Sequence, residues 1–164
     1  MPDEQARTPE RDRDEAGRPL NSRPRDGLGR PLPRSADGVP RIPEDLQLPP
    51  EEAILEAQRL FDSNMPFHAH EILEGVWKSS PDDERDLWQG LAQLAVGLTH
   101  LLRGNDTGAR SLLQQGHDRI RHYAIDPPYG LDVAGLTTWA EHLLTEIDRP
   151  EPLPVIPIPQ LRIP

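Results

Sequence analysis

Proline has no backbone N–H and a fixed φ, so it interrupts helix interiors and central strands alike. Twenty prolines in 164 residues therefore cannot be scattered through one regular domain. Residues 1–50 hold ten of them and residues 150–164 hold six. The 99 residues between hold four: Pro66, Pro81, Pro127 and Pro128. All three Trp, both Phe, both Tyr and all six His fall in that same middle stretch. The chain reads as a tail over 1–45, one domain over 46–149 and a second tail over 150–164, with the domain at an ordinary size.

Residues 1–45 mix nine Arg with ten acids, Pro and Gly, and carry almost no large apolar side chains. Such a segment buries too little to offset the entropy of ordering, and we expect it to be disordered. It has no apolar h-region and hence no secretory signal, which gives a cytoplasmic expectation. The C-terminal tail, PEPLPVIPIPQLRIP, alternates proline with Leu, Val and Ile. Proline at this density forces an extended, polyproline-like path. The apolar side chains favour a strap folded back over the domain's own surface over a tail left in water. A docking peptide for a protein partner or a second subunit is the alternative.

The acidity sits in the domain. Residues 51–149 hold eight basic and seventeen acidic side chains, a net of −9 out of −10 for the chain. That field repels phosphate backbones and anionic membrane surfaces, so neither nucleic acid nor membrane is an expected partner. There is no cysteine, which excludes disulfides, thiolate nucleophiles, Cys-ligated zinc and iron–sulfur clusters.

No strand or hairpin pattern is present, and the domain reads as helices. The first spans about 51–64, after Pro49-Pro50, with Ile54, Ala57, Leu60 and Phe61 as its apolar set. The second spans about 66–78, with Ala69, Ile72, Leu73, Val76 and Trp77 on one arc. The third spans about 82–103. Between Asp86 and Arg103 it has sixteen residues without an acid, Lys or Arg, so it is the expected central, buried helix. Sixteen residues are short of the roughly twenty that a membrane span needs. Gly90 and Gly97 share one side and permit close helix approach. The fourth helix spans about 107–123 after Gly104-Asn105. The fifth spans about 132–147 with Asp132 as N-cap. The fold class is all-α: a small antiparallel bundle of about five helices with disordered proline-rich N- and C-terminal tails, unless the second tail folds back as a strap.

A polar stripe crosses this apolar pattern. Gln89, Gln93 and His100 fall within about 40° of one another around the third helix. Buried amides and imidazoles need partners, and the second helix offers His70, Glu71 and Glu74. These six residues form the candidate cleft, with the two sets facing each other or lining one groove. His70, Glu74 and His100 are a candidate ligand set for a divalent metal, the one cofactor this chemistry suggests. Glu71 or Glu74 polarising His70 or His100 would serve metal-free acid–base work. A structural network that keeps the helices in register is the third reading. Trp77, Trp88 and Trp139 read as core or interface aromatics. His117, His122 and His142 read as surface or half-buried residues without a carboxylate at matching spacing.

Phe67-His68-Ala69-His70-Glu71-Ile72-Leu73-Glu74, followed by Trp77, resembles the signature Phe-Glu-Ala-His-Glu-x-x-Glu-x-x-Trp of the domain of unknown function 309 (DUF309). Gln89-Gly90-Leu91-Ala92-Gln93 resembles its second motif, Gln-Gly-Leu-Ile-Gln, and His100, Arg103-Gly104-Asn105 and Gly108-Ala109 match the segment that follows. The resemblance runs over about 55–149. It implies a small all-α bundle and names no activity. It selects the same six residues, with one departure: His68 stands where the family usually has an acid, which would weaken a cation site most.

Three functions follow as expectations. The first is a small-ligand or metal-binding module with a polar His/Glu/Gln cleft. The second is a metal-assisted hydrolase-like enzyme using the same cleft. The third is a structural or adaptor protein whose polar stripe only fixes helix packing. A homodimer and a protein partner for the tails are the associations this chain offers.

Overall fold

The computed structural model describes residues 47–151 and 155–163. The expected disorder of 1–45 lies outside the described residues. Among the described residues five α-helices follow one another: α1 Pro50–Asp62, α2 Pro66–Ser79, α3 Arg85–Leu102, α4 Asp106–Ile120 and α5 Val133–Ile147. Short 3₁₀ turns stand before α3 (Asp82–Glu84), after α4 (Arg121–Ala124) and before α5 (Pro128–Gly130). No strand occurs among the described residues, and an antiparallel bridge between Leu131 and Arg162 stands alone.

The helix ends are set by local chemistry. Asn64 takes a left-handed φ of 61° after α1, and Met65 N–H reaches back to the Leu60 carbonyl at 2.8 Å. This is a Schellman stop with Asn at its left-handed position, so the helix ends before Pro66 is reached. The same stop closes α3: Gly104 has φ +82° and Asn105 N–H bonds the His100 carbonyl at 2.9 Å. Asn105 then starts α4, its side-chain oxygen accepting from Gly108 N–H at 3.1 Å. Asp132 caps α5 in the expected way, accepting from Gly135 N–H at 3.1 Å. Two boundaries differ from the expectation. The acid-rich stretch 82–84 is a 3₁₀ turn, and α4 ends at Ile120. There the Tyr123 hydroxyl donates to the Asp83 carbonyl at 2.8 Å and holds the turn against the start of α3.

α3 is the central helix. Leu87, Trp88, Leu91, Ala92, Leu94, Ala95 and Leu98 are all buried, and α2 and α4 pack against it. α1 packs on α2, and α5 packs on α4. Cross-helix pairs show that α3, α4 and α5 alternate in direction. Asp86 meets Arg119 and Gln93 meets Gln115, while His117 meets Glu141 and Arg110 meets Asp148. α3 and α4 approach closely because Gly90 and Gly116 lie at their crossing. A Cβ on Gly116 would sit 2.7 Å from the Gly90 carbonyl oxygen, and one on Gly90 would sit 2.6 Å from Ile120 Cγ2. No helix among the described residues is long and apolar enough to cross a membrane.

The C-terminal tail takes the strap form. Residues 155–163 run extended across α1, α5 and the turn before α5. Leu161 is 2% exposed, Pro159 is buried, and Ile156 packs against the core. Trp139 Nε1–H donates to the Pro157 carbonyl at 2.8 Å, and Asp132 N–H donates to the Leu161 carbonyl at 2.8 Å.

Gly116→Ala is expected to destabilise the bundle by about 1–3 kcal/mol, because the new methyl meets fixed backbone and the clash exceeds the alanine's helix-propensity gain. Urea unfolding of the two proteins measures it; an unchanged or higher midpoint would show that the crossing has room.

Candidate functional site

All six cleft residues, His70, Glu71, Glu74, Gln89, Gln93 and His100, are half-buried, and none lies in the core. On α2 the one-turn spacing brings His70 Nε2 to 2.8 Å from Glu74 Oε2. The carboxylate can only accept, so Nε2–H donates in this pair. His70 Nδ1 lies 3.3 Å from the Phe67 carbonyl. Lys78 Nζ reaches to 3.7 Å from Glu74 Oε1. The hydrogen bond from His70 holds the Glu74 carboxyl below the usual carboxylate range, with the charges of His70 and Lys78 adding to it and burial opposing it.

The stripe on α3 turns elsewhere. Gln93 Nε2 donates to Gln115 Oε1 on α4 at 3.2 Å, and Gln115 Nε2 donates to Ser111 Oγ at 2.9 Å. Gln93 Oε1 is buried without a hydrogen-bond partner among the described residues. His100 Nδ1 stands 3.1 Å from Asn105 Nδ2. The amide can only donate, so Nδ1 accepts and the imidazole proton sits on Nε2. Burial first, and the charge of Arg103 second, push the His100 imidazole below its ordinary value. His100 thus braces the side chain that ends α3 and begins α4.

The six residues therefore divide into local sets. His70 and Glu74 pair within α2, Gln93 bonds α4, and His100 supports a helix cap. Glu71 sits between His70 and Glu74 in sequence on α2, and Gln89 lies one turn before Gln93 on α3. Among the described residues no group of three or more His, Asp or Glu side chains is placed to hold a metal ion. A cavity of about 390 Å³ is lined by Leu101, Asp106, Glu146, Ile147, Arg149 and Ile156, with none of the six in its wall.

Other expectations resolve individually. Trp88 is fully buried, and its Nε1–H donates to Glu84 Oε1 at 3.2 Å. Tyr129 hydroxyl donates to the same oxygen at 2.8 Å, and that bond, with burial and neighbouring acids, raises the phenol. Trp77 lies under the Arg85 guanidinium, 5.7 Å from ring to charge. His68 is 1% exposed, on the core side of α2.

Sequence reasoning missed two side chains. His117 is half-buried, within the reading from sequence, but it does have carboxylate partners. Its Nδ1 lies 3.0 Å from Asp118 and its Nε2 lies 2.8 Å from Glu141 on α5. Burial alone would lower this imidazole; the two carboxylates together outweigh burial and hold it above its ordinary value. Glu141 is 24 residues away, so no local spacing could announce the pair. Gln58 is the second. Its Oε1 accepts from Leu161 N–H at 2.8 Å, and its Nε2 donates to the Pro159 carbonyl at 3.0 Å. A lone Gln on an amphipathic helix carries no sequence signal of that role.

The family whose model matches this chain is described as Domain of unknown function (DUF309), over residues 54–112. The match takes in most of α1, all of α2 and α3 and the first half of α4. It thus bears out the resemblance read from the two motifs and stops short of the α5 region. The Bacillus subtilis (strain 168) protein "Uncharacterized protein YpuF" is 40% identical over 68 residues. That alignment covers 37% of this chain and 39% of the relative, so the chain spans well under half of the curated relative it matches. No solved structure gives a significant match.

His117→Asn is expected to weaken the α4–α5 contact in a pH-dependent way. The folded imidazole is raised, so its contribution is fully present below the unfolded value of about 6.5 and fades as pH rises through the folded value. Glu141 is 62% exposed, which screens the pair and limits the effect to about 1 kcal/mol. His100 is shifted the other way and loses stability as pH falls, so the quantity to read is the difference between the two proteins. Urea midpoints at acidic and alkaline pH should show that difference shrinking; a constant difference would remove the charge from the account.

Proposed function

We propose that the DUF309 region is a non-catalytic interaction module, in which the polar stripe fixes helix packing and recognition is left to the surface and the C-terminal tail. One observation carries this reading: the stripe residues spend their hydrogen bonds inside the bundle. Gln93 bonds α4 and His100 braces the cap of α4. His70 bonds its own helix one turn on. Catalysis asks for convergent groups around one reacting atom. Here the groups diverge along three elements. The acidic domain points recognition towards neutral or cationic partners rather than phosphates.

A second reading rests on Gln93. A buried amide oxygen without a partner is costly, about 1–3 kcal/mol. A small polar ligand donating to Gln93 Oε1 would supply the missing bond. The cleft then works as a binding site for a neutral or cationic hydrogen-bond donor.

Untagged protein purified without chelator separates the two by native mass spectrometry and elemental analysis. The interaction module carries neither a stoichiometric metal nor a small molecule. His100→Ala then lowers stability by about 1 kcal/mol, through the lost support of the Asn105 cap. A bound species that Gln93→Ala releases without loss of stability would establish the ligand cleft instead.

A further inference from the structure

A strap that only covers its own domain needs apolar side chains on one face. The segment 155–163 carries them on both. Inward, Pro159 and Leu161 are buried and Ile156 packs against the core. Outward, Val155 is 76% exposed, Ile158 41% and Ile163 74%. Inward and outward side chains alternate over 158–161, as the two-residue period of an extended chain requires.

The polar contacts that hold the segment run almost wholly to its backbone. Trp139 donates to the carbonyl of Pro157, and Asp132 N–H donates to that of Leu161. Gln58 gives one N–H to the Pro159 carbonyl and accepts from Leu161 N–H. That is what one residue of a neighbouring strand does with its own backbone. The second Nε2 proton of Gln58 goes to Asp62 Oδ1 at 2.9 Å, which fixes the amide the right way round. One tail side chain adds a bond: Arg162 Nε donates to the Tyr129 carbonyl at 3.1 Å. Backbone hydrogen bonds for grip and a pocket for one apolar side chain are how domains read extended segments of other chains. Prolines at 157 and 159 suit such a ligand. They hold an extended shape without an ordering cost, and they remove two N–H groups that would need partners.

We propose that the groove formed by Gln58 of α1, Asp132 and Trp139 at α5 and the turn 129–131 is a binding site for an extended segment of a partner protein. The segment has the chemistry of this tail: Pro-x-Pro-x-Leu followed by a cation. The chain's own tail is the resident occupant that such a partner displaces. This rests on the interaction-module reading. The tail competes at an effective concentration on the order of millimolar, so it sets a threshold that only a well-matched or multiply anchored partner passes. Val155, Ile158 and Ile163 stay in water when the tail is docked and so contribute little to its hold.

The test uses the full chain carrying Leu161→Asp, which removes the buried anchor from the tail and leaves the groove residues in place. The probe is a fluorescein-labelled peptide of residues 155–163, read by anisotropy. The variant should bind it saturably, and the wild-type chain about tenfold or more weakly, because its own tail competes. Adding Gln58→Ala should abolish binding. Should Leu161→Asp fail to fold, a wild-type chain with a protease site in place of 150–154 is cut under native conditions, and the freed tail should exchange with the labelled peptide. A folded Leu161→Asp chain that ignores the peptide up to about 1 mM overturns the proposal, as does a cleaved tail that never exchanges. A 1:1 heterodimer of Leu161→Asp and Gln58→Ala chains, with no binding of free peptide, would assign the groove to a second copy of this chain and also overturn it. The interaction-module reading fails separately, on a bound metal or small molecule, whatever the peptide does.

Discussion

A helix that is apolar nearly all round cannot stand at a surface, and α3 is that helix here. Its burial places α2 on one flank and α4 on another. At the second contact Gly90 and Gly116 bring the two backbones close together, with Ile120 and Leu94 side chains packed beside them. A crossing that close leaves little choice in how α4 lies. Once α4 lies antiparallel to α3, the turn between them must be tight. Gly104 and Asn105 meet that demand in two residues, one taking the left-handed turn and the other both ending and starting a helix.

The polar residues of the bundle follow from the same constraint. A side chain on the rim of a buried helix is too deep to be left to water alone, so it bonds whatever its neighbours present. For Gln93 that is Gln115, and for His100 it is the Asn105 amide. Glu84 does the same for two aromatics, accepting from both Trp88 and Tyr129 where α3 begins. Each bond ties an element to α3. Gln93 and His100 are thus fastened separately, at different points along the central helix.

This explains what was legible in the sequence and what was not. Helices were legible because periodicity and capping are local. Pro49-Pro50, Asp132 and the uncharged run 87–102 each state their role within a few residues. The two motifs that resemble those of DUF309 were legible for the same reason. The direction in which a half-buried residue points is a matter of angle, and its partner lies on another element. Around α3, the helical spacing of Gln89, Gln93 and His100 shows a shared side, but spacing does not say which neighbour lies there. The bonds of Gln93 and His100 run to α4 and its cap. Long-range pairings left no trace at all: His117 with Glu141 is 24 residues apart, and Gln58 with Leu161 is 103.

The tail shows how one sequence property can act twice. Proline density keeps 155–163 out of the helical bundle, because no helix can form there. The same density makes the segment stiff and extended, so its carbonyls at 157 and 159 take their donors from outside the segment. The bundle answers with side-chain donors from two different helices, Trp139 and Gln58. Neither donor recognises a side chain; both recognise an extended backbone. Specificity is therefore concentrated in the pocket for Leu161, 2% exposed, and in the two prolines whose shape presents it. Such a groove is selective for conformation first and for sequence second, so its preference for the chain's own tail is a matter of proximity as well as fit.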